Sequence, residues 1–258
     1  MRSVRLRRPV IAVTALSLAL VVTACGEAQK EAGQGKGVGK ESTPSASAPS
    51  ATSAPSSAKG LTQAELDEAI VAPADLKGHK VKIHGGQISS SAVTVDKEEC
   101  KPIADALFAV PHHLATASAQ VEAIEVPKGA SAASEDVLKN GLGAPLTDLT
   151  LSSYDGNNFQ QALAEVKASA AACADGFSVT VVDQTTKVLS VVPAQVSVGD
   201  ESWAWTLDLG WRGGPHGTSV VVFRKGSAVA TASTTSRTPS GTRGMPKALL
   251  DVQAAKLA

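Results

Sequence analysis

Glu201-Ser202-Trp203-Ala204-Trp205-Thr206-Leu207-Asp208-Leu209-Gly210-Trp211 holds every tryptophan of the chain. All three, with Leu207 and Leu209, fall on odd positions, separated by Ala204, Thr206, Asp208 and Gly210. A period of two is that of a β-strand, so the five large apolar side chains share one face of a sheet. Buried aromatics on a covered sheet face are the usual filling of a core, so Trp203 and Trp205 are expected under a long helix. The functional alternative is an aromatic groove made by Trp203, Trp205, Trp211 and Arg212, suited to a glycan, lipid or peptide. Trp211, beside Arg212 and a glycine-rich turn, is the tryptophan expected at the surface.

The flanks extend the sheet. Gly213 to Pro215 predicts a turn into a strand from Ser219 to Phe223, and Lys225-Gly226 a turn into a strand from Ala228 to Thr234. Upstream, Phe177 to Val182 and Val188 to Val198 are β-branched runs. Before them Phe159, Ala162, Leu163, Val166, Ala170 and Cys173 recur at helical spacing, predicting a helix over Asn158 to Ala174 that Gly176 terminates. Further back, Leu146 to Leu151 and Leu114 to Val126 read as strands, and Ala130 to Gly143 as a short helix or loop. Cys100, Ile103, Ala104 and Leu107 mark a helix with Pro102 in its first turn. Val81 to Ile83 and Ile88 to Val95 predict two strands joined by a turn at Gly85-Gly86. Thr62-Gln63-Ala64-Glu65 is a capping box opening a helix through about Ile70, and Met245 to Leu257 reads as an amphipathic closing helix. The fold class is α+β: a largely antiparallel β-sheet with helices packed on it.

This pattern occupies residues 61–258, the length of one domain. What precedes it is different. Arg2, Arg5, Arg7 and Arg8 lead into an apolar run from Val10 to Val22 and then Val22-Thr23-Ala24-Cys25. That run spans about 20 Å as a helix, short of a hydrocarbon core of about 30 Å, and matches a secretory signal peptide over residues 1–24. The four residues ending in Cys25 resemble the lipobox of bacterial lipoproteins, which implies a diacylglycerol (palmitate-type) lipid on the Cys25 thiol and a membrane anchor. Two acyl chains suffice for stable anchoring where one does not. The residues after Arg7-Arg8 do not match a twin-arginine signal. From residue 25 to 60 the chain is a Ser/Ala/Pro/Gly tether without an aromatic residue, expected to be disordered with a reach of about 30 Å. Its Gly33-to-Lys40 stretch ends in Lys40-Glu41 rather than Lys-Ser/Thr, which excludes a phosphate loop.

The zero net charge conceals an acidic domain. From Gly60 onward there are 16 Lys and Arg against 21 Asp and Glu, a net of −5 before histidines. That argues against nucleic acid or an anionic lipid surface as partner. With Cys25 assigned to lipid, Cys100 and Cys173 remain in an oxidising compartment, each on the apolar face of a predicted helix. A disulfide between them is expected, with two buried thiols or a metal pair as the alternatives. Catalytic signatures are missing: no Gly-x-Ser-x-Gly elbow and no supported Ser-x-x-Lys. His79, His84, His112, His113 and His216 lack the helical His/Glu pairing of a zinc site and are expected as surface loop residues. No metal and no cofactor are expected, and the domain is not expected to be an enzyme.

Val191-Val192-Pro193, Val198-Gly199-Asp200-Glu201-Ser202 and Val222-Phe223-Arg224-Lys225-Gly226, following the helix that ends in Cys173, resemble the extracellular sensor domains of actinobacterial Ser/Thr kinases (the PknH-like type) and their free-standing lipoprotein relatives. Asp75-Leu76-Lys77-Gly78 fits the same pattern. The alanine-, glycine- and valine-rich composition suits an actinobacterial, Streptomyces-like source. The resemblance implies a helix-decorated antiparallel sheet with a cleft for an unidentified envelope ligand or protein, and no catalytic residues. Kinase-linked members carry two disulfides, where this chain has cysteines for one. The expected function is thus a lipid-anchored, extracytoplasmic, sensor-like binding domain at the cell membrane. A carrier of acylated envelope lipids and an envelope hydrolase are the alternatives.

Overall fold

The computed structural model describes residues 59–83, 88–126, 144–211, 214–235 and 244–258, with backbone alone at 214 and 215. The signal, Cys25, nearly all of the tether, the Gly85-Gly86 turn, the Ala130 to Gly143 segment, Arg212 and Gly213 lie outside these residues.

Nine strands form one antiparallel sheet: β1 (His79–Ile83), β2 (Val93–Val95), β3 (Ala117–Glu125), β4 (Leu146–Ser153), β5 (Phe177–Val181), β6 (Gln184–Ala194), β7 (Glu201–Trp211), β8 (Gly214–Lys225) and β9 (Ala228–Thr235). Their order is β1-β3-β4-β9-β8-β7-β6-β5-β2. Among the described residues four α-helices pack on it: α1 (Gln63–Ala69), α2 (Lys101–Leu107), α3 (Asn158–Ala172) and α4 (Lys247–Lys256). None of the described helices is long and apolar enough to cross a membrane.

The tryptophan strand sits near the middle of the sheet, and its alternation divides two cores. Trp205, Leu207 and Leu209 point into one with Val220, Val222, Phe177 and Val179, roofed by Ile103 and Leu107 of α2 and by Leu163 and Val166 of α3. Ala204 points the other way, joining Val221, Phe223, Leu149 and Leu151 beneath Leu66 of α1 and Leu249 and Leu250 of α4. Burying a side chain such as Leu207 or Phe223, both fully inaccessible, contributes about 1.5–3 kcal/mol each. Helices therefore cover both faces, an arrangement that periodicity alone does not specify. The Thr62–Glu65 capping box is formed in both directions. Cys100 and Cys173 form the disulfide that ties α2 to α3, with Cα atoms 5.8 Å apart.

The expected hairpin over Val81 to Val95 is not formed. β1 pairs with β3 and β2 with β5, at opposite edges of the sheet. Ser89-Ser90-Ser91 supplies the reason. Polar side chains compete with strand pairing there, Ser90 donates to Asp105 of α2 (2.7 Å), and residues Ser90–Ala92 close a 3-10 turn. β6 also starts earlier than its β-branched run, because Val182 and Asp183 form a two-residue turn at positive φ (46° and 64°) that pairs Val181 with Gln184. That is the twist-compatible hairpin geometry usually built from Asn-Gly. Gly176, at φ 89°, lies in the turn after α3, where a Cβ would press on the carbonyl of Val188, so only glycine fits.

Candidate functional site

The register of the central strands carries one row of side chains to an end of the sheet. Leu209 faces His216 across β7/β8, Thr218 faces Thr235 across β8/β9, and Thr235 and Ser233 face Leu146 and Asp148 across β9/β4. α2 shields this face only as far as Leu107. Its end is fixed by the sheet itself. Ser233 Oγ donates to the Leu107 carbonyl (2.6 Å). Gln120 Nε2 (2.8 Å) and the Thr150 hydroxyl donate to the Ala109 carbonyl. These bonds satisfy acceptors that a helix terminus leaves open. Ala109 then turns the chain away at φ 49°.

Beyond that terminus lies a pocket of about 390 Å³. Leu107 and Phe108 form a wall, Leu209, Trp211 and Leu146 an apolar floor, and Asp148, Thr186, Ser233 and Thr235 supply polar atoms. Trp211 is 41 % exposed. Its ring lies 5.2 Å from that of His216, a buried histidine whose Nδ1 makes no hydrogen bond among the described residues. An aromatic face with hydroxyls and one carboxylate around it can hold a small polar or amphipathic molecule by stacking and hydrogen bonding.

The structure separates the tryptophans. Trp205 is core. Trp203 is partly buried, with Lys167 Nζ 4.6 Å above its ring, a cation–π contact that closes that end. Of the three, Trp211 alone lines this pocket, and Arg212 lies outside the described residues. Asp148, Ser233 and Thr235 were not singled out in the sequence. Their signal was present as polar side chains on strand positions that share the tryptophan face.

The histidines depart from expectation as well. His216 is buried, and the His112 side chain is 8 % exposed. His112 Nε2 lies 3.0 Å from Glu165 Oε2 of α3. Burial, more than the His113 charge beside it, holds the pKa of His112 below its ordinary value, against the pull of Glu165. The Glu165 carboxyl lies below the usual carboxylate range, first through the Gln161 side-chain amide. Deeper in, Lys101 Nζ contacts both Asp105 oxygens (2.5 and 2.6 Å). Burial nevertheless raises the Asp105 pKa, the Lys101 and Ser90 bonds only partly opposing it.

No protein-family model matches this chain, and no curated protein does. Among solved structures it is similar to the extracellular domain of PknH from Mycobacterium tuberculosis, at 12% sequence identity and a TM-score of 0.48, over 77% of this chain and 95% of that one.

Proposed function

We propose that this chain is an envelope lipoprotein, held to the outer face of the cell membrane by a lipid on Cys25 and spaced from it by residues 25–60. Its folded part, residues 61–258, binds a small envelope ligand without transforming it. The observation that carries the binding reading is the pocket of about 390 Å³ floored by Trp211, within the size range of small-molecule sites. Its mixed lining suits a molecule with a flat apolar face and several hydroxyl or amide groups. A carrier of long acyl chains would need a larger, wholly apolar chamber, whereas the described space between sheet and helices is filled by side chains. Native mass spectrometry of the full-length protein recovered from its own envelope tests the reading. Extra mass that is released on denaturation, and is absent from a folded Trp211→Ala variant, is expected. A bare mass, or a ligand retained equally by the variant, overturns it.

A further inference from the structure

Three metal-ligating side chains meet at the joint between α2 and α3. His112 and His113 follow Pro111 in the turn after α2, with ring centroids 4.2 Å apart. Glu165 projects from α3 so that its Oε2 lies 3.0 Å from His112 Nε2 and 3.9 Å from His113 Nδ1. One donor atom from each of the three lies within 4.8 Å of the others. Ligands sharing a tetrahedral zinc at about 2.1 Å stand about 3.4 Å apart, so changes in separation of a few tenths of an ångström up to about 1.4 Å would bring these atoms to coordination distance.

We propose that His112, His113 and Glu165 form a three-ligand site for a borderline divalent transition ion, Zn²⁺ or its analogues. Two imidazoles and a carboxylate are the donor set such an ion prefers over the all-oxygen shells of Mg²⁺ and Ca²⁺. The carboxylate is oriented from behind: Gln161 Nε2 donates to Glu165 Oε1 (2.8 Å), leaving Oε2 for the ion. The Cys100–Cys173 bridge holds the two supporting helices together. The His113 side chain is 61% exposed, which leaves a coordination position open to water or an exogenous ligand.

One contact sets the affinity. The Leu114 N–H donates to His112 Nδ1 (3.3 Å), which places the ring hydrogen on Nε2, pointing at Glu165. Coordination through Nε2 moves that hydrogen to Nδ1 and breaks the Leu114 bond. The site therefore binds more weakly than a closed structural zinc site. It shares no residue with the lining of the Trp211 pocket and does not depend on the function proposed above.

The test is calorimetric titration of Zn²⁺ into the full chain in detergent at neutral pH, purified without a polyhistidine tag. The only histidines outside the cluster are His79, His84 and His216. Saturable binding of one ion per chain is expected, weakened at least about tenfold by His113→Ala and by Glu165→Gln. His113 is exposed and the Gln substitution is isosteric, so both variants should fold, and circular dichroism checks that they do. Gln161→Ala should weaken binding while leaving the four-coordinate Co²⁺ visible spectrum in place, and His79→Ala should change nothing. No saturable binding, or binding that both cluster variants leave unaltered, overturns the proposal.

Discussion

Val71 and Gln253, 182 residues apart in the sequence, are joined by a buried hydrogen bond: the Val71 N–H donates to Gln253 Oε1 at 3.0 Å. The same side chain donates through Nε2 to the Ala69 carbonyl (2.9 Å). Gln253 is fully inaccessible, so α4 supplies the partners that the backbone lacks after α1 ends. Gln253→Ala leaves both groups buried without partners. Loss of about 2–3 kcal/mol is expected, read as a lower urea midpoint at unchanged slope. Gln253→Glu should recover little, because a carboxylate cannot donate to Ala69.

The Cys100–Cys173 bridge closes a sequence separation of 73 residues. Chain entropy assigns such a loop about 4 kcal/mol. Unfolding in the presence of reductant should show a loss of that order, and the intact mass should be two hydrogens below that of the reduced chain. A Cys100→Ala/Cys173→Ala double variant with undiminished stability would refute this.

Val182 occupies the first position of the β5–β6 turn at φ 46° while 76 % exposed. A β-branched residue there is strained and buries nothing in return. Val182→Asn combined with Asp183→Gly should stabilise the protein by about 1 kcal/mol, seen as a rise in the thermal midpoint. An unchanged or lowered midpoint would show that the turn is not a site of strain.

Asp200 clasps the β8–β9 turn, accepting from Gly226 N–H (2.9 Å), Arg224 (3.2 Å) and Lys225 (3.1 Å). The Gly226 bond, then Lys225, holds its carboxyl below the ordinary 3.8. Because the folded-state pKa is the lower one, the stabilisation is complete above 3.8 and is lost as pH falls from there through the folded value. Asp200→Asn should therefore lose stability at neutral pH yet decline less steeply than the parent in acid. Parallel curves from chemical denaturation at several pH values would contradict the assignment.

Much of the fold was legible because its signals are local. The Trp203–Trp211 alternation, the Thr62–Glu65 box and the 3.6-residue face of α3 each report on one element, and each formed. The pairing of β1 and β2 was not legible, since both partners lie far along the chain and proximity in sequence suggested a hairpin. The hidden histidines had the same cause. Nothing within several residues of His112 announces Glu165, which the disulfide-linked α3 brings alongside. The Trp211 pocket lay between these cases. Its floor was visible as a stripe, whereas Asp148, Ser233 and Thr235 came together only through the order of β4, β9, β8 and β7.

The placement of β1 and β2 at the two margins bears on how the sheet is completed and protected. Both margins are formed by strands close together in the sequence, β1 (His79–Ile83) and β2 (Val93–Val95). During synthesis β2 is made well before β5, the strand it pairs with, whereas the partner of β1, β3, follows sooner. A truncation starting after Val95 would bare β3 and β5 together, giving the molecule two raw templates for pairing with its neighbours. Loss of that single segment would change both edges of the sheet at once.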